Sequence, residues 1–182
     1  MRTKNLSLLF TLVAITMMSL TSWAQLSGTY TINGSGLGPI QNNYGSIGAA
    51  VTALTTSGVS GPVTFNVASA TYTEQVTLSA VTGASSTNTI TFRGSDTANS
   101  PSIITYTPTG SADNWTVRLD GADYVTLDNL TITTGGSTYG RLVNYTGNVA
   151  DFNLTNCHLL GATGTSTSTN YAGLYYSFPA VA

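Results

Sequence analysis

Four aspartates sit close together in an otherwise charge-poor chain. Asp120, Asp123 and Asp128 form one short acidic stretch, and Asp151 follows further along the chain. Carboxylate oxygens grouped on a turn are what calcium requires, so these four form a candidate calcium site. Such a site could staple neighbouring segments or bridge to a uronate. The plainer reading is that Asp120-Gly121-Ala122-Asp123 is simply a turn, in which Asp bonds its own backbone and Gly supplies positive φ. Arg118 and Arg141 flank this acidic region and could pair with it. Aromatics offer a different chemistry. Trp115, Tyr139 and Tyr124 fall at turns, where a ring face can stack on the C–H face of a sugar, and they are the candidate glycan contacts. Trp115 and Tyr139 are expected to be exposed, whereas Tyr106 and Tyr145 are expected to be partly interior. Calcium is the only cofactor the sequence suggests.

Nucleophilic and zinc chemistry have little to work with. The chain holds one cysteine, Cys157, and one histidine, His158. Neighbours on a strand point to opposite faces, so the two could not meet as nucleophile and base. They are also too few for a structural zinc site. Cys157 reads as a buried thiol and His158 as a surface imidazole. No set of catalytic residues is predicted.

The elements that would position these residues begin after an export signal. Arg2 and Lys4 precede an apolar run from Leu6 to Leu20, followed by Ser22-Trp23-Ala24. That pattern predicts a signal peptide over residues 1–24, a secreted or outer-surface product, and no membrane span after cleavage. The remaining length, 182 − 24 = 158, suits one domain. That part carries three arginines (93, 118, 141), no lysine and seven carboxylates, a net charge of −4. Such a chain has no basic surface for nucleic acid or an anionic membrane. A single cysteine excludes a disulfide-stapled module. Nothing in the sequence sets an oligomeric state.

Short period-2 strands return at a fixed interval. Val63-Thr64-Phe65, Ile90-Thr91-Phe92 and Val117-Arg118-Leu119 share an apolar-x-apolar pattern, with 90 − 63 = 27 and 117 − 90 = 27. Val125-Thr126-Leu127 and Leu130-Thr131-Ile132 recur at the same step (152 − 125 and 157 − 130) as Phe152-Asn153-Leu154 and Cys157-His158-Leu159. Val76/Leu78 and Ile104/Tyr106 fit the last series with steps of 28 and 26. A fixed return of this length is the signature of a solenoid. The predicted fold is therefore all-β, a parallel β-helix, with Asn129 stacked over Asn156 at a bend. Ile47–Leu54 reads as an amphipathic helix stopped by Thr55-Thr56-Ser57-Gly58, within an N-terminal segment spanning 25–58. It would cap the first coil. Coils then fill 59–182, and Ala172–Tyr176 reads as the start of another, so the coils are expected to continue further.

These residues resemble a known group. Asn43-Tyr44 to Val51, Gly61-Pro62 to Val67, Ala70 to Val76 and Leu119 to Ile132 look like the coils of pectin-lyase-like right-handed β-helices. They are most similar to large Thr/Asn-rich, adhesin-like surface proteins of Bacteroidota. The resemblance implies export by a type IX secretion system and a polysaccharide or host or cell-surface glycan as partner. Tyr72-Thr73-Glu74-Gln75-Val76 echoes the first motif of pectin methylesterases, but the later Asp-containing motifs of that family do not follow. Catalytic members of the superfamily use clustered carboxylates with Arg, Lys or His, and three arginines with one histidine cannot build most of those sets. The expected function is a secreted or surface scaffold for adhesion or glycan binding. The alternatives are the first part of a polysaccharide lyase or esterase with catalytic coils downstream, and a structural stalk.

Overall fold

A strand that alternates apolar and polar residues has one side to bury, and a coil of three such strands cannot cover its own apolar side chains. Stacking coils solves this. The computed structural model describes residues 24–33, 43–95, 100–162 and 169–176, so the expected signal peptide lies outside the described residues except for Ala24. Three strands make up each of the first two coils: β3 (Val59–Val67), β4 (Ala70–Thr73) and β5 (Val76–Ser79), then β6 (Ile90–Arg93), β7 (Ser102–Tyr106) and β8 (Val117–Asp120). Two more coils follow: β9 (Val125–Asp128), β10 (Thr131–Thr134) and β11 (Val143–Thr146), then β12 (Asn153–Thr155), β13 (His158–Leu160) and β14 (Leu174–Tyr176). Before them come β1 (Leu26–Ile32), β2 (Asn43–Tyr44) and one helix, α1 (Ile47–Ser57).

Three parallel sheets result. The first is ordered β12-β9-β6-β3-β1-β2, the second β13-β10-β7-β4 and the third β14-β11-β8-β5. Each coil gives one strand to each sheet, which makes a parallel β-solenoid of about four turns. Its interior is built from columns of like residues. Val63, Ile90 and Val125 stack in the first sheet, Tyr72, Ile104 and Ile132 in the second, and Val76, Val117 and Val143 in the third; Leu159 and Leu174 of the last coil continue two of these columns but are left partly or largely exposed. Phe65 and Phe92 are buried and stack with centroids 4.8 Å apart and an interplanar angle of 19°.

The expected step holds from β9 to β12 and from β10 to β13, and Val63 does pair with Ile90. Two expected columns are wrong. Val117 lies in the third sheet between Val76 and Val143, and the first-sheet partner of Ile90 is Val125, a step of 125 − 90 = 35. Likewise Val76 belongs to the third sheet; Ile104 does join the sheet of Ile132 as expected, but pairs with Ile132 itself, two residues from the expected register. The reason is that period 2 tells inward from outward but not which of three sheets a strand joins. In the second coil the strands are set further apart in sequence than in the first, yet they stay in register with it.

The helix caps this stack as expected, but it runs on past Leu54 to Ser57. Ser46 Oγ accepts from Ala49 N at 3.0 Å. Glu74 reaches up from the first coil, its carboxylate accepting from Ile47 N at 3.2 Å and Gly48 N at 2.8 Å. A negative group at a helix N-terminus satisfies free N–H groups and opposes the helix dipole. Ile47, Ala50 and Leu54 then bury their side chains over the first coil. A strand not foreseen from the sequence, β1, extends the first sheet beside β3. Among the described residues no helix is long and apolar enough to cross a membrane.

Two substitutions test this arrangement. Phe92→Ala should cost about 3–5 kcal/mol, since it empties the centre of the stack. Glu74→Ala should cost about 1–2 kcal/mol through the lost cap. Urea midpoints measure both, and an unchanged midpoint for Glu74→Ala would mean the helix is not anchored there.

Candidate functional site

Strand alternation decides what the third sheet shows to solvent. With Val117, Leu119, Val143 and Leu174 turned inward, the residues between them form an outer column of Thr77, Arg118, Asn144 and Tyr175, in register one coil apart. Neighbouring members are about 4.8 Å apart, the spacing of paired strands. Two further residues complete the face. Trp115 leads into β8, and the Arg118 guanidinium carbon lies 4.2 Å from its ring centroid. Arg141 leads into β11, and its guanidinium carbon lies 3.4 Å from the Tyr175 ring centroid.

Buried polar side chains hold the face rigid. Asn114 is 1% exposed; its Oδ1 accepts from Arg141 N and its Nδ2 donates to Asn170 O, both at 3.3 Å. Arg141 Nε donates to Thr169 O at 3.0 Å. Gln75 Nε2 donates to Asp113 O at 2.7 Å and Trp115 O at 3.0 Å. Within this frame, Trp115 Nε1, Arg118 Nε and Asn144 Oδ1 are buried and make no hydrogen bond among the described residues. All three fall in this one cluster. A buried polar atom without a partner typically costs about 1–3 kcal/mol, so a ligand that lifts Arg118 and supplies partners gains that much.

Charge singles out the same face. Among the described residues the one ion pair is Arg93 Nε to Asp128 Oδ2 at 3.1 Å, on the first sheet. Arg118 and Arg141 therefore form no ion pair there, and the expected pairing with the neighbouring aspartates does not occur. Two cations held flat on aromatic rings suit a carboxylate or another planar anion, because guanidinium binds such groups with two parallel hydrogen bonds.

The four expected calcium ligands are not brought together. Asp128 on the first sheet accepts from Thr155 Oγ1 at 2.8 Å and Asn156 Nδ2 at 3.1 Å, besides Arg93. The Thr155 bond, with help from Asn156 and Arg93, holds its carboxyl below the ordinary range against the opposing effect of desolvation. Asp120 Oδ1 accepts from Thr146 Oγ1 at 3.4 Å, and Asp123 Oδ1 accepts from Ala150 N. Asp151 lies one coil above Tyr124 rather than Asp123, because β12 sits on β9 with Asn153 over Thr126. No three His, Cys, Asp or Glu among the described residues converge on a metal-sized site. The turn reading of Asp120–Asp123 fits better, with Gly121 at φ 70°.

The expected glycan contacts are also placed differently. Trp115 and Tyr139 are half-buried rather than exposed, Trp115 because Arg118 covers its ring. Tyr139 lies in the segment between β10 and β11, and Tyr124 at the turn into β9, so the three do not form one stripe. Tyr106 and Tyr145 are half-buried, as expected. Asn129 and Asn156 do share a bend, but their amides reach Gly94 O and Asp128 rather than each other. Cys157 Sγ donates to Leu127 O at 3.3 Å, and burial raises its thiol, while His158 is exposed. Sequence reasoning missed Arg118, Arg141, Asn144 and Tyr175 as a unit. For Arg118, Asn144 and Tyr175 the one signal was a polar or aromatic residue between two apolar ones; Arg141, before its strand, had none.

No protein-family model matches the chain, and no curated protein matches it in sequence. A solved structure does match: the crystal structure of the pectin methylesterase from Aspergillus niger, with 22% identity and a TM-score of 0.57. The fold is a pectin-methylesterase-like parallel β-helix. The match covers 84% of this chain but 46% of that one, so the chain spans less than half of the esterase. At such identity the likeness speaks for the fold alone. The match to this structure does not support the expected similarity to surface proteins of Bacteroidota.

Asp113 gives a pH test of the frame behind this face. Its carboxylate accepts from Thr109 N, Gly110 N and Tyr106 OH, and these bonds, led by that of Thr109, lower its pKa to about 2. A carboxyl depressed on folding stabilises above its ordinary value and loses that contribution as pH falls through the folded value. Melting temperature should thus fall between pH 3.8 and about 2. Asp113→Asn should melt lower at neutral pH and lose less across that window. Equal slopes in thermal melts would exclude this role.

Proposed function

We propose that this chain is an exported β-helix of the cell surface or surroundings that binds an acidic polysaccharide along the outer face of its third sheet, without chemistry of its own. The observation that carries this reading is the pair of guanidinium groups, Arg118 on Trp115 and Arg141 on Tyr175, that have no carboxylate partner among the described residues. Rings and cations set one coil apart suit a polymer whose acidic groups recur along its length. The solenoid supplies the matching straight and rigid surface.

A binding role without catalysis is supported by where the acids are used. Glu74, Asp113, Asp120, Asp123 and Asp128 each accept hydrogen bonds that tie coils, turns or the helix together. Asp113 and Asp128 are held ionised, which suits neither for giving up a proton near neutral pH. A second reading, part of a polysaccharide-active enzyme, is favoured by the solved neighbour's being an esterase of more than twice the matched length.

Calorimetric titration with oligogalacturonate, its methyl ester and a neutral glucan separates these readings. The acid form should bind, and more weakly as salt rises. Arg118→Ala and Arg141→Ala should each weaken binding about tenfold or more, the scale of a charge-assisted hydrogen bond. Equal binding of the acid and neutral polymers, or unaffected arginine variants, would refute the proposal. Release of methanol from the ester would favour the enzyme.

A further inference from the structure

A second hollow opens on the outer face of the first sheet, away from the arginine face. Four non-glycine residues have positive φ among the described residues: Tyr124 (58°), Asn129 (55°), Asp151 (48°) and Asn156 (53°). All four frame β9 and β12, at the start and end of each strand. Asn and Asp tolerate this left-handed conformation, but a bulky residue rarely adopts it. Tyr124 is the exception. Tyr124 and Asp151, its counterpart one coil on, both line one hollow of about 290 Å³. Thr126 and Asn153, register partners on the outer face, line its floor. Ser86 and Thr89, from the segment between β5 and β6, complete its wall.

Asp151 differs from the other described carboxylates. Each of those accepts a hydrogen bond, whereas Asp151 has no partner among the described residues. The residues lining the hollow therefore bring one unengaged carboxylate, one amide, three aliphatic hydroxyls and a phenol ring. A carboxylate can accept from two adjacent hydroxyls at once, an amide both donates and accepts, and a ring face takes an apolar C–H face. No cation lines the hollow, and Arg93 is drawn to Asp128 at the far end of the strands.

From this we infer that the hollow bounded by Tyr124 and Asp151 binds a single neutral sugar ring. Its small volume fits one ring rather than a chain, and the Asp151 charge repels a uronate. It is thus a site of opposite preference to the third-sheet face, and it stands independently of that proposal.

Saturation-transfer NMR on the whole chain tests this, using glucose, galactose and mannose, with galacturonate as the charged comparison. At least one neutral hexose should receive saturation, and galacturonate should receive none through this hollow. Asp151→Asn, which keeps the shape and tolerates the bend, should weaken that hexose about tenfold or more. Tyr124→Gly removes the ring and relieves the backbone, so it should lose binding while its melting temperature holds or rises. Arg118→Ala should leave the hexose signal intact. Silence from all three hexoses would overturn the inference, as would a signal unchanged in both Tyr124→Gly and Asp151→Asn. Galacturonate binding that depends on Asp151 would also overturn it.

Discussion

Everything in this molecule depends on parallel register. An inward side chain is covered only if its counterpart one coil away lies directly above it, so each strand must return to its column. How far the chain travels in between is free. In the third sheet the steps are unequal, 117 − 76 = 41, then 143 − 117 = 26, then 174 − 143 = 31, with the strands still paired one to one. Longer connections are thus tolerated at the corners, and there the chain places Trp115 and Arg141. The core sets the pitch, and the corners carry the variation.

Parts of this were legible in the sequence and parts were not. Period-2 patterning and a regular return identify a β-solenoid, because both arise from local contacts repeated in order. Assigning Val117 to a column failed, because corner length is not written in the strands. Strand β1 was hidden by Gly28 and by Ser27, Thr29 and Thr31 around it, which dilute the apolar alternation. The helix outran its expected stop because its terminator is Gly58, at φ 69° with its N–H donating to Leu54 O, and the residues before it stay helical to Ser57. The arginine face was unreadable because it joins residues from four different coils.

Scarcity of charge explains how the remaining charges are used. With 7% charged residues, this chain cannot cover its surface with ion pairs. Carboxylates serve instead as multiple acceptors at the places where backbone N–H groups lack strand partners. Asp113 closes the turn at Thr109 and Gly110, Asp123 meets Ala150, and Glu74 meets the first turn of α1. Threonine and asparagine fill the same role elsewhere without charge. An arginine left out of this scheme stands apart from its surroundings.

The stacking of Arg118 on Trp115 has an optical consequence. Tryptophan occurs at positions 23 and 115, and the first lies within the expected export signal. Without that signal, the indole emission of residues 25–182 would come from one ring, with a guanidinium carbon 4.2 Å from its centroid. Its colour and intensity would then follow the position of a single side chain. The chain would carry a native fluorophore at the very place where a bound polymer would move the cation.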